Sequence, residues 1–434
     1  MAQSTTGLGS KTIGDSFSSS DFNALNNTIN SNSADADGKL EDNLVVVKSV
    51  SDLSSIDSSK VYLIDGVIAM GTTAIQIPSG GATIVGRGFD VSQLTSSSAS
   101  HTLFTSPGGG SGNLTLRNIG ITTSGTGSKV FALTANAGTE SIEIRGVNFN
   151  NCTSLGYLDG YRQGLEIETG RFGGTPELEF RNAWAGGYRV SDSIARGMSA
   201  FTALFKAGTG LTFGGRFVSN MNADLPATGA LIDFAPSNIT NSESLVFEGA
   251  YITRSGAIDA SDSTIYPNID HTNAKSYWLG NVGLPTTAKH LKASITTASA
   301  TTISLASTYY ALAGTFTVDD AIHCDMPSNG EFRSLYGQGF YFVHGDLFIA
   351  GTAGDKVHVR VTKSTDGGST WPTVVDNTER EILNLTGAND IAIFNIGFII
   401  ELAPSDRIRF EVENATLNNN VTALVDSNIS IHRI

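Results

Sequence analysis

The run Ile142-Glu-Ile-Arg-Gly146-Val-Asn-Phe149 decides the fold. It reads apolar-x-apolar-x-Gly-x-x-apolar, and the same frame recurs along the chain. It fits Ala82, Ile84, Gly86, Phe89 and then Leu114, Leu116, Asn118, Ile121. It returns at Leu178, Phe180, Asn182, Ala185; at Leu211, Phe213, Gly215, Val218; and at Leu245, Phe247, Gly249, Ile252. The last copy is Tyr277, Leu279, Asn281, Leu284. The glycine or asparagine positions are separated by 32, 28, 36, 33, 34 and 32 residues. Alternating apolar residues turn one side of a short strand inward. A glycine or asparagine directly after the pair accepts the left-handed φ of a tight corner. Most copies are preceded by another short strand, as in His101-Thr-Leu-Phe104 and Gly164-Leu-Glu-Ile167. A period near 30 residues with two or three such strands is one coil of a parallel β-helix, its coils about 4.8 Å apart.

Outside the repeat the chain changes character twice. Residues 1–43 carry little strand signal. A short helix over Phe22, Leu25 and Ile29 is expected there, with Phe17 just ahead of it. So narrow an apolar seam needs a partner, because a short isolated helix is marginal in water. From 296 to 434 longer strand-like runs appear, among them Phe340 to Ala350, Ile391 to Leu402 and Ile408 to Val412. They read as an antiparallel sandwich of jelly-roll type. The run Ile391-Ala-Ile-Phe-Asn-Ile-Gly-Phe-Ile-Ile is apolar on both faces, which predicts a subunit partner on the face away from its own sandwich. The expected class is all-β: a right-handed, single-stranded parallel β-helix over 44–295 and a C-terminal sandwich over 296–434, preceded by an attachment segment over 1–43.

Composition agrees and excludes several functions. The 434 residues include 48 Gly and 10 Pro, and only 16% are charged, too few for long amphipathic helices. The net charge of −14 argues against nucleic acid, which wants a basic stripe. Cys152 and Cys324 stand far apart without metal-type spacing, so they are expected as buried, reduced thiols. The polar start MAQSTTGLGSKTIGDS lacks the apolar core of a signal peptide, and Ile391 to Leu402 is too short to cross a bilayer; folding in a reducing cytosol without membrane insertion is expected.

Chemistry-bearing residues gather in one place. Glu166, Glu168, Glu177 and Glu179 are the densest acids, with Tyr157, Tyr161, Trp184 and Tyr188 near enough in sequence to stack on sugar rings. Glycan cleavage needs two such acids about 5–10 Å apart, one of them kept protonated by burial. The plainer reading is that the four solvate the outer face of two coils. Glycan contact is the functional alternative, and no catalytic residue is assigned. Asp319, Asp320 and Asp325 could offer oxygens to a hard cation, but a solvated turn is the plainer reading, and no metal or cofactor is expected.

Three stretches resemble the trimeric appendage proteins of tailed bacteriophages: tail fibres, tailspikes and head fibres. Gly14-Asp-Ser-Phe17-Ser-Ser-Ser-Asp-Phe22-Asn-Ala-Leu25-Asn-Asn-Thr-Ile29-Asn looks like their short attachment segments. Ala82-Thr-Ile-Val-Gly-Arg-Gly-Phe-Asp90 is similar to the opening coil of tailspike-like and pectate-lyase-like β-helices. The regions 355–375 and 390–414, with Asp366-Gly-Gly-Ser-Thr-Trp371 in a loop, look like sandwich tips of the C1q/tumour-necrosis-factor type. The resemblance implies a homotrimer in the virion. Its N-terminus would bind a tail or capsid protein, and its coils or tip would bind a host-surface polysaccharide or other receptor. It also keeps open a polysaccharide-degrading tailspike, acting as hydrolase or lyase, and a capsid-attached head fibre.

Overall fold

The structure is a computed structural model that describes residues 43–199, 201–258, 264–382 and 390–434. It is all-β. Internal packing divides it into two units: the described residues up to Trp184 together with Ser191–Phe201, and Ala185–Val190 together with Thr202–Ile434.

The first unit is a parallel β-solenoid of three sheets. One sheet runs Leu44–Val47, Val61–Ile64, Ala82–Gly86, Leu114–Arg117, Ser141–Arg145 and Gly164–Glu168, every pair parallel. The register aligns Ile84 with Leu116, Leu116 with Ile144 and Ile144 with Ile167, so each inward aliphatic lands on the one before. All four are 0% exposed. A second sheet holds Val67–Ala69, Gln93–Ser96, Gly120–Thr123, Asn148–Cys152, Arg171–Gly174 and Ile194–Met198. A third holds Ile75–Gln76, Thr102–Thr105, Lys129–Thr134, Gly156–Asp159 and Leu178–Arg181. Stacked rings fill the interior: Phe104 on Phe131 and Phe149 on Phe172, each with centroids 5.6 Å apart.

The corner logic holds at Asn118, Gly146 and Asn182, where φ is 54°, 62° and 55°. The corner amides also bond along the stack: Asn118 N donates to Arg145 O at 2.9 Å, and Gly146 N to Glu168 O at 3.0 Å. Gly86 has a different reason. Its φ is not left-handed, but a Cβ there would run into the Asn118 carbonyl oxygen and sit 2.6 Å from the Ile119 side chain.

The second unit holds parallel coils and an antiparallel sandwich. Gly187–Ser191, Phe217–Ser219, Leu245–Glu248 and Ser276–Leu279 pair in parallel, and Tyr188 stacks on Phe217 at 4.2 Å. Two seven-stranded antiparallel sheets follow. The first joins Ser299–Thr301, Val421–Ala423, Gly339–Ala350, Asn428–Arg433, His290–Thr297 and Thr315–Ile322, with Ile391–Leu402 paired to Gly339–Ala350. The second is centred on Val357–Ser364 and Arg407–Asn414. Their shared core includes Tyr341, Val343, Leu347, Val357, Val359, Ile396, Ile408 and Val412, all 0% exposed.

Three features of the repeat come out differently from the sequence reading. Leu178 and Phe180 belong to the third sheet; in that coil it is Leu165 and Ile167 that take the first-sheet position. In the second unit Phe217–Ser219, and not Leu211 and Phe213, takes the place between Gly187–Ser191 and Leu245–Glu248. In the last coil the alternation is inverted: Ser276 and Trp278 are 0% exposed, while Tyr277 and Leu279 point outward. There the left-handed corner falls on Gly280 (φ 63°), one residue before Asn281. The physical reason is common to all three: any short run with two apolar residues at i and i+2 satisfies the pattern, and a coil has three such strands. The positions Phe17, Phe22, Leu25 and Ile29 lie outside the described residues.

Candidate functional site

The acids of the sequence reading fall on two different sheets. Leu165 and Ile167 point inward, so Glu166 and Glu168 project from the outer face of Gly164–Glu168. The register places them beside Glu143 and Arg145 of the preceding coil. Arg145 is the hub. Its Nε lies 2.7 Å from Glu143 and 3.4 Å from Glu168, and its Nη2 lies 3.0 Å from Glu166; Arg117 meets Glu143 at 2.7 Å. The hydrogen bond to Glu166, and then the charges of Glu143 and Glu166, hold the Arg145 proton more tightly than usual. Glu177 and Glu179 belong with Leu178–Arg181 in the third sheet. Glu179 lies 2.7 Å from Arg181, whose guanidinium sits 3.8 Å over the Tyr157 ring. Both arrangements are surface charge ladders, in which Glu143, Glu166, Glu168 and Glu179 each meet a guanidinium. Neither provides the apolar enclosure that keeps a general acid protonated.

Three of the four aromatic candidates are interior, and here the sequence expectation is corrected. Tyr161 and Trp184 are 0% exposed and Tyr188 1%, so no ring face is open to a sugar. Tyr161 shares a 2.5 Å hydrogen bond with Ser111, and burial pushes its hydroxyl up to about 12. The indole Nε1 of Trp184 donates to Arg181 O at 3.1 Å. Tyr157 alone stays half-buried at the surface, its face already taken by Arg181. The cause is coil closure: aromatics at inward positions fill the wide interior of this solenoid.

The aspartates weighed for a cation are apart and partnered. Asp320 lies 2.8 Å from His290, Asp319 accepts from Ser294 at 3.1 Å, and Asp325 pairs with Arg333. Cys152 and Cys324 are both free and buried, and burial pushes their thiols up to about 11 and about 12.

Two faces of the sandwich carry features of their own. Ile391–Leu402 alternates strictly: Ala392, Phe394, Ile396, Phe398, Ile400 and Leu402 are buried. The sequence expected an apolar face on either side, and the second one is there but open. Ile391, Ile393 and Ile399 are 54–60% exposed, beside Phe340 at 55% and Phe342 at 40% on the neighbouring strand. Phe342 pairs directly with Ile399 and Phe348 with Ile393. A polar stripe crosses this face at Asn395, which donates to Asp346.

The outer face of the second sheet is a charged network that sequence reading missed. His358 pairs with Glu413 at 2.8 Å, and Glu411 takes Arg360 at 2.8 Å and Arg409 at 2.6 Å. Tyr309 covers Arg360 at 3.7 Å and Trp371 covers Arg409 at 4.2 Å. The Asp366 carboxylate fixes the Trp371 loop, accepting from Ser364 Oγ, Thr370 N and Thr370 Oγ1 at 2.6, 2.9 and 2.6 Å; these bonds hold it well below the usual carboxylate range. The signal was present as charges at alternate positions, His358-x-Arg360 and Arg409-x-Glu411-x-Glu413. Only the pairing of the two strands, His358 with Glu413 and Arg360 with Glu411, joins them.

No family model matches the sequence. No curated protein matches it either. Among solved structures, murine APRIL at pH 5.0 is similar over 34% of this chain and 99% of its own, at 6% identity and a TM-score of 0.25. Eiger TNF from S. frugiperda is similar over 34% of this chain and 92% of its own, at 9% identity and a TM-score of 0.27. The assignment of the sandwich rests on its own strand pairing.

Proposed function

We propose that this chain is the subunit of a trimeric virion appendage, of the tail-fibre or tailspike kind, that binds a host-surface glycan without cleaving it. The observation that carries the reading is the open apolar face of Phe340, Phe342, Ile391, Ile393 and Ile399 on two paired strands. Five large side chains left 40–60% in water on one face are worth roughly 1 kcal/mol each when covered. A second copy of the same face is the economical cover. The number three, the virion location and attachment through the N-terminal segment come from the family resemblance of the sequence. Three copies would carry three times −14, so contact through uncharged side chains suits such an assembly.

Binding is favoured over cleavage because three of the four candidate acids, Glu166, Glu168 and Glu179, are already paired with Arg145 or Arg181. The test is to incubate the purified protein with a panel of bacterial capsule and O-antigen polysaccharides. The reading expects retention on some of them, with no new reducing ends and no unsaturated products. Turnover would make it an enzyme, and failure to bind any polysaccharide would remove the glycan from the proposal.

A further inference from the structure

Within the second unit a cavity of about 330 Å³ opens beside the last coil, lined by Tyr277, Leu279, Lys289, Arg433 and Ile434 among others. Its construction follows from the inverted alternation of Ser276–Leu279. With Trp278 packed inward, Tyr277 and Leu279 form an outward wall. The free edge of that strand is closed by Thr287, whose Oγ1 accepts from Trp278 N at 2.6 Å and whose amide donates to Trp278 O at 2.8 Å. That closure sets Lys289 next to the cavity, and Arg433 N donates to Lys289 O at 2.9 Å, placing the two cations side by side.

Among the described residues the two cations share one carboxylate partner, Glu243. Lys289 Nζ lies 2.5 Å from Glu243 and Arg433 Nη1 lies 3.9 Å from the same oxygen. Lys289 also donates to the Tyr336 carbonyl. The Lys289 side chain is 2% exposed and that of Arg433 31%, so one cation is fixed at depth and the other stands at the rim. Two positive groups thus meet at this cavity in a chain that is strongly acidic elsewhere. Burial lowers the proton affinity of Lys289; Glu243 opposes this, and Arg433 adds to the lowering. The volume falls in the range of small-ligand pockets, which combine apolar walls with a few polar groups.

We propose that this cavity is a subsite for one carboxylate-bearing sugar residue, a uronate or a sialate, with its carboxylate on Arg433 and its ring against Tyr277 and Leu279. The assignment rests on the glycan-binding reading above and narrows it to acidic saccharides. Calorimetric titration of the full chain with D-glucuronate, N-acetylneuraminate, D-glucose, acetate and inorganic phosphate, at constant ionic strength, tests it. Either or both acidic sugars bind at least tenfold more tightly than glucose, acetate or phosphate. Arg433→Met loses at least tenfold of that binding and Tyr277→Ala several-fold, each with an unchanged melting temperature; Lys289 is left intact because it also bonds Tyr336. Failure of both acidic sugars to bind overturns the subsite. So does glucose binding as tightly as they do, or a folded Arg433→Met that binds undiminished. Acetate or phosphate binding equally well makes it a bare anion site and overturns the sugar assignment. Retention on polysaccharides without binding of either acidic sugar removes this subsite and leaves the glycan-binding reading standing, whereas retention on none removes that reading itself.

Discussion

At Thr169 a β-branched residue occupies the left-handed corner that asparagine or glycine fills in neighbouring coils, with φ 52°. Its Oγ1 accepts from Gly146 N at 3.0 Å, which offsets part of the conformational cost. An asparagine keeps a side-chain acceptor and tolerates the conformation better. Thr169→Asn is therefore expected to stabilise the protein by about 0.5–1 kcal/mol in urea titration. Two buried histidines give a pH dependence of definite sign. Burial is the first cause that pulls His101 and His323 below 6.5, so both fold in the neutral form more readily than they remain charged. As pH falls through 6.5 the unfolded chain takes up these protons first. Stability is thus full above that pH and declines below it, down to the folded pKa values. The melting temperature should drop between pH 7.5 and pH 5.0, and His323→Gln should shrink the drop. An equal drop in the variant would assign the effect elsewhere.

At the scale of elements, the coil is held by close approach inside and loosely tied outside. A methyl at Gly86 meets the Asn118 carbonyl and the Ile119 side chain of the next coil, so Gly86→Ala should cost about 2–3 kcal/mol. Arg145→Ala removes the hub of the outer ladder, yet its pairs are 26–43% exposed and screened by solvent, so it should cost far less than Gly86→Ala. Chemical denaturation of the two variants compares these directly. The same contrast explains what the sequence could reveal. Inward aliphatics such as Ile84, Leu116 and Ile144 announce themselves by alternation, because period two is a local property. Which of the three sheets a strand enters is set by its partner a coil away, so the alternation of Leu178 with Phe180 does not reveal their sheet, and the apolar pair Tyr277 and Leu279 hides that Ser276 and Trp278 take the inward phase. Tyr161, Trp184 and Tyr188 misled for a related reason. An aromatic ring is equally at home in a wide solenoid interior and on a sugar, and only closure of the coil decides. The Lys289 cavity was illegible because Glu243, Lys289 and Arg433 come together from three separated segments.

For the whole molecule, the decisive feature is the half-open strand pair of the sandwich. Ile391–Leu402 buries every second side chain in its own core and leaves Ile391, Ile393 and Ile399 to water. An edge strand so exposed is a liability in a lone subunit and an interface in an assembly. The most direct test is the native mass of the protein at micromolar concentration, compared with that of the double variant Phe342→Asp, Ile393→Asp. The account predicts three times the 45.5 kDa chain for the parent and a folded single chain for the variant. A parent that stays monomeric, or a variant that still assembles, would contradict it.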